Sequence, residues 1–264
     1  MALIHVNFFS QTLGMNRSMD VILPQIKNGV GQKDAFCFQE NDIPTLYLLH
    51  GGSDDHTMWQ RRTSIERYAV AKGLAVIMPS TDLGSYTDMK YGYDFYQFFS
   101  EELPEIVHEF FPGLTTKREK TFIAGQSMGG YGTLKLGLTQ PERFSYVAAL
   151  SAMINAMKMF EGETVSAFAE NAFGSKEELM NSVNDLYHDT EMLLEKGGEL
   201  PHFMLVCGTE DFMYPENLEY YNKYGNALQI EKIFAPGEHE WGFWDKYIQK
   251  VLDWLPLGEE REGR

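Results

Sequence analysis

Positive charge is scarce in this sequence. It holds 22 lysines and arginines against 38 aspartates and glutamates, a formal net charge of −16. A field of that sign repels polyanions and argues against nucleic acid as a partner. Long hydrophobic runs are missing too: no window approaches the roughly 20 apolar residues that span a bilayer, so no membrane association is expected. The opening MALIHVNFFSQTLG has no basic stretch followed by an apolar one, the mark of a secretory leader. A cytoplasmic location is therefore expected. Cysteine is nearly absent. Cys37 and Cys207 fit neither a metal-ligand spacing nor a disulfide framework, and Cys207, closing an apolar run, reads as core. The histidines show no H-E-x-x-H pattern. Neither a metal nor an organic cofactor is called for. Repeats and linkers are lacking as well, so the 264 residues, 44% of them hydrophobic, read as one domain, 1–264, around one substantial core.

What the sequence does have is alternation. Short β-rich runs, MDVILP (19–24), TLYLLHGG (45–52), GLAVIMPS (73–80), TFIAG (121–125), YVAALS (146–151), FMLVCG (203–208) and IEKIFAP (230–236), are separated by segments with helical spacing. Continuous apolar strands with helices between them predict an α/β fold with a mostly parallel central sheet and helices on both faces. In 94–111, Phe95, Phe98, Phe99, Leu103, Ile106, Val107, Phe110 and Phe111 form one apolar stripe, which Pro104 should kink. The charged tail 258–264 carries no readable function.

FIAGQSMGGYGTLKLG (122–137) gathers five glycines around Ser127. Within it, Gly125-Gln126-Ser127-Met128-Gly129 fits G-x-S-x-G with a strand before and a helix after. At so sharp a turn, side chains two positions before and two after the serine would collide, and glycine removes the collision. The hydroxyl then stands clear of the sheet, beside helix N–H groups, Met128's among them, that face any anion forming there. The same glycines make a poor helix by propensity, so packing must override it. A serine hydroxyl is a weak nucleophile and needs a base with a group to orient it. The chain order should be serine, acid, histidine. Of the seven histidines, only His239 follows the last expected strand, in a loop leading to the final helix. Candidate acids include Asp185, Asp189, Glu210 and Asp211; Asp211 lies just past a strand's C-terminal end, with Glu210 its adjacent rival. His50-Gly51-Gly52, at another strand end, offers backbone N–H groups for an oxyanion hole.

The blocks LLHGGSDDHTMW, AGQSMGGYGTLKLGL, CGTEDFMYPEN and PGEHEWGFWD resemble those of the esterase D family, especially its tributyrin-esterase-like bacterial branch. FFSQTLGMNRSMDVILP resembles that family's first β-hairpin, and together the blocks span nearly the whole chain. The resemblance implies an α/β-hydrolase fold, a triad of Ser127, Asp211 and His239, and oxyanion donors from the backbone of Gly52 and Met128. Relatives often carry a bulkier residue where this chain has Gly52. It also implies a small-molecule ester as partner: short acyl esters from acetyl to butyryl, acetylated sugars or feruloyl esters, cleaved through an acyl-serine. S-formylglutathione-type thioester hydrolysis is the alternative, and a non-catalytic binding module a more distant one. A homo-oligomer, dimer or tetramer, stays open. Residues 153–200 interrupt the alternation and read either as ordinary packing or as a small cap. In the second reading Met153, Met157, Met159, Phe160 and Phe168 line an adaptable acyl pocket. Trp59 and Trp241 flank the expected loops as its remaining wall, or else belong to the core.

Overall fold

The computed structural model describes residues 1–26, 37–38, 42–161 and 166–257. The tail 258–264 and the side chain of Cys37 lie outside the described residues. The chain opens with a hairpin: β1 (Ala2–Ser10) runs antiparallel to β2 (Met15–Leu23), Ala2 opposite Leu23 and Ser10 opposite Met15. A short ribbon of β3 (Gln25–Ile26) and β4 (Cys37–Phe38) follows. Then come β5 (Thr45–Leu49), β6 (Ala75–Pro79), β7 (Thr121–Gln126), β8 (Tyr146–Leu150), β9 (His202–Gly208) and β10 (Glu231–Ala235). The main sheet has eight strands in the order β1-β2-β6-β5-β7-β8-β9-β10. β2 meets β6 antiparallel, and every pair from β6 to β10 is parallel.

Helices fill the connections: α1 (Met58–Arg62), α2 (Ile65–Ala71), α3 (Phe95–Gln97), α4 (Leu103–Phe110), α5 (Met128–Thr139), α6 (Ala167–Phe173), α7 (Lys176–Leu179), α8 (Leu186–Lys196), α9 (Tyr214–Tyr224) and α10 (Trp241–Trp254). Side chains alternate along each strand and divide the core in two. Tyr47, Leu49, Ile123, Val147 and Leu205 join the cluster under α4, α5 and α8. Leu46, Leu48, Phe122, Ala148 and Val206 join the one under α2 and α10. Both faces are covered, as a parallel sheet requires.

One local expectation changes. The stripe in 94–111 does not run through as one helix, because a π turn, Phe98–Glu102, separates α3 from α4, with the Leu103 N–H reaching back to the Phe98 carbonyl. Pro104, which has no N–H to donate, then sits in the first turn of α4. The extra residue in that turn advances the helix face, so Phe110 is 46% exposed while Phe98, Phe99, Leu103 and Val107 remain buried. The segment 153–200, which interrupts the strand alternation, carries a 3-10 turn (Ala156–Phe160) and α6 to α8 among its described residues. The turn leading into α8 is bound to α5: the Tyr131 hydroxyl donates to the Asn184 carbonyl at 2.8 Å, and Lys135 Nζ to Asn184 Oδ1 at 2.7 Å and to the Val183 carbonyl.

Candidate active site

β7 stops at Gln126 and α5 starts at Met128, so one residue turns the chain. Ser127 has φ 56° and ψ −119°, a conformation strained for a residue with a Cβ and held only because its surroundings overdetermine it. Its N–H donates to the Leu150 carbonyl at 2.9 Å, and its own carbonyl accepts from Tyr131 and Met153. A Cβ on Gly125 would sit 2.5 Å from the Gly129 carbonyl oxygen; one on Gly129 would sit 2.6 Å from the carbonyl oxygens of both Leu49 and His50. Gly130, Gly132 and Gly137 meet Ala152, Tyr86 and Val147 as closely. The poor propensity of α5 is thus offset by packing that only glycine permits.

The Ser127 hydroxyl lies 3.0 Å from His239 Nε2. On the far side of the ring, Nδ1 is 2.9 Å from both carboxylate oxygens of Asp211. Asp211 is 3% exposed, and burial pushes its carboxyl up. Hydrogen bonds from His239, the Ser151 hydroxyl and the Met213 N–H outweigh that and hold it below the usual carboxylate range, ionised. Glu210, the adjacent rival, is engaged elsewhere: its carboxylate accepts from the Gly237 N–H and the Thr209 hydroxyl, and so clips the histidine loop to the acid loop. The ring centroids of the exposed Phe212 and the buried Trp244 lie 4.5 and 4.9 Å from that of the imidazole. The Trp244 indole N–H donates to the Ser151 hydroxyl at 3.0 Å.

The HGG turn is fixed by its histidine. The Thr81 N–H donates to His50 Nε2 at 3.0 Å, so Nδ1 carries the proton and donates to the Gly51 carbonyl at 2.7 Å. Burial pulls the pKa of His50 down to about 4, which keeps the clamp neutral. Gly52 is exposed, and a Cβ there would meet nothing within 4 Å. A bulkier residue would fit, and its absence leaves the backbone N–H of Gly52 unchanged.

The remaining expectations divide. Trp59 is core: it is 1% exposed, and its N–H donates to the Leu49 carbonyl at 2.9 Å. It backs the end of β5 and is closed off from any pocket, because the half-buried Trp241 stands edge-on against it at 5.2 Å. Met157, Met159, Phe160 and Phe168 are partly buried against the larger cluster, and Met153 is buried. Sequence reasoning missed what anchors this segment. On α9, Glu216 accepts from the Ile154 N–H at 2.9 Å and Asn217 donates to the Ala152 carbonyl at 2.8 Å. Neither has a local signal, since each partner is more than sixty residues away. Among the described residues no cluster of three metal-ligating side chains occurs, and no helix is long and apolar enough to cross a membrane.

A serine, an imidazole and a buried carboxylate in this order are what acyl transfer calls for. The Esterase family model matches residues 10–255. The chain belongs to the esterase family. This esterase is 32% identical to the acetyl esterase of Caldicellulosiruptor saccharolyticus over 97% of its own length and 98% of that protein. Its structure is similar to that of fluorophosphonate-binding serine hydrolase F of Staphylococcus aureus, with TM-score 0.87, 35% identity, and 98% and 99% of the two chains covered. It is also similar to the Staphylococcus aureus S-formylglutathione hydrolase, with TM-score 0.84, 34% identity, and 97% and 99% covered. The fold is that of the α/β-hydrolases, and the esterase is a carboxylic ester hydrolase of the serine type.

Proposed function

We propose that the protein hydrolyses short acyl esters, acetyl to butyryl, through an acyl intermediate on Ser127. The observation that carries this is the unbroken hydrogen-bonded line from Ser127 through His239 to Asp211. His239 takes the Ser127 proton as Oγ attacks the ester carbonyl. The N–H groups of Gly52 and Met128 receive the oxyanion, with the N-terminal end of α5 adding its partial positive charge. His239 then returns the proton to the departing alcohol, and Asp211 holds the tautomer that makes both transfers feasible. Water, activated by the same imidazole, releases the acid. Met157 and Phe160, with Trp241, form the acyl wall in this reading. The buried free thiol of Cys207 suits the reducing cytoplasm expected from the sequence.

Thioester hydrolysis of the S-formylglutathione type is the second reading, favoured by the 34% identity to a hydrolase of that name. Purified protein assayed on acetyl, butyryl and feruloyl esters and on S-formylglutathione separates the two. The expected result is the highest kcat/KM on an acetyl or butyryl ester. A kcat/KM higher by an order of magnitude on S-formylglutathione would select the thioester reading.

A further inference from the structure

The surface at His239 has one feature that neither the core nor the mechanism explains. Phe212, next to Asp211, is 70% exposed, yet its ring lies 4.5 Å from the imidazole. An aromatic face left in water beside a reactive group is free to receive whatever docks there. Its position indicates which part of the substrate that is. The general acid hands its proton to the leaving oxygen, so the alcohol part of the ester departs past His239 and within reach of Phe212.

Charge narrows the choice. Residues 50–57, 126–132, 151–157, 209–213 and 236–241, which carry the candidate triad and the oxyanion donors, hold six carboxylates and no lysine or arginine. Glu210, Glu238 and Glu240 are exposed, and Asp54 and Asp55 half-buried. Two cations in this part of the molecule are paired elsewhere: Lys158 faces Glu216 at 3.6 Å, and Arg17 pairs with Asp82 at 2.8 Å.

Building on the serine-esterase reading above, we propose that Phe212 is the platform for the alcohol part of the ester and that the carboxylate rim confines that part to uncharged or cationic groups. A sugar or aryl ring lays its apolar face on the phenyl ring, and a cation gains from the ring's negative face as well. An anionic leaving group meets both that face and the rim. Its penalty acts over about 10 Å at roughly 0.1 M salt. An acidic thiol peptide such as glutathione falls in the disfavoured class.

The test uses four acetyl esters: of an uncharged phenol amide, of its carboxylate and ammonium counterparts, and of ethanol. Each kcat/KM is divided by that ester's hydroxide-catalysed rate to remove intrinsic reactivity. Wild type should turn over the anionic aryl ester about ten-fold less well than the uncharged one at low salt, the gap closing to about two-fold at roughly 0.5 M salt. The double variant Glu238→Gln, Glu240→Gln should narrow the gap at low salt. Phe212→Ala should raise KM for the uncharged and cationic aryl esters about ten-fold and affect ethyl acetate far less, while Phe212→Tyr restores wild-type values. Equal rates for anionic and uncharged esters at low salt would overturn the inference. So would a Phe212→Ala variant that slows ethyl acetate as much as the aryl esters, since the ring would then act only through His239. No hydrolysis of any ester by wild type would overturn the esterase reading itself.

Discussion

Around Ser127 backbone presses on backbone, with no space for a methyl group at Gly125 or Gly129; between residues 153 and 200 the chain is held chiefly by side chains. There Lys90 pairs with Glu178 at 2.7 Å and Lys176 with Glu161 at 3.3 Å, both in water. A Ser175–Glu178 capping box starts α7, and Met157, Met159 and Phe160 are only partly buried. Exposed ion pairs contribute about 0–1 kcal/mol each, and methionine adapts to varied neighbours. Close-packed backbone has few ways to relax and holds reacting groups in one geometry. On the function proposed above, chemistry belongs to the first region and breadth of substrate to the second.

The sharpest break in that contrast comes from the acid. Asp211→Asn should lower kcat by roughly 10⁴-fold, because the amide favours the wrong imidazole tautomer, while Glu210→Gln changes it little. Steady-state kinetics of the two variants decides, and the reverse ranking would move the role to Glu210. Next in size is Gly129→Ala, whose methyl group must displace the carbonyls of Leu49 and His50. A stability loss of about 3 kcal/mol in urea unfolding is expected, with turnover falling alongside because the oxyanion turn moves.

Acidification should single out the same region. The pKa of His50, low at about 4 when folded, returns toward about 6.5 on unfolding. Between those values the unfolded chain binds the proton more tightly, so stability from this group is intact above about pH 6.5 and falls as pH drops toward 4. At pH 5 the loss is about 2 kcal/mol. Thermal unfolding of His50→Gln should therefore change less between pH 7 and 5 than that of wild type. The smallest effect belongs to the second region. Met157→Ala or Phe160→Ala should shift the preference toward longer acyl chains by about 1 kcal/mol per methylene, read as kcat/KM across an acyl-length series. Parallel profiles with lowered stability would make the segment plain packing and erase the contrast.

The two regions also differ in how far the sequence reveals them. The turn at Ser127 is legible because its constraints are local: glycines two residues away on each side have to be there, and a strand and a helix flank them. The order of strands, which apolar runs mark well, puts an acid at 210–211 and a histidine at 239, while the choice of Asp211 over Glu210 comes from the family resemblance. What anchors Ala152 and Ile154 is invisible in sequence, because Glu216 and Asn217 become partners only when α9 folds back on β8. Trp59 could not be assigned from its place near a loop, since its burial depends on Trp241, far along the chain. The π turn before Pro104 shifts the apolar face, which a fixed helical period misses at Phe110.

The central claim is that Ser127 is the nucleophile. Its most direct test is peptide mass mapping after reaction with an organophosphonate or sulfonyl fluoride, which forms a stable adduct on an activated serine. The account predicts one adduct, on the peptide containing Ser127, and none on the Ser127→Ala variant, whose fold is unaltered. An adduct on a different residue, or one that persists in Ser127→Ala, would contradict it.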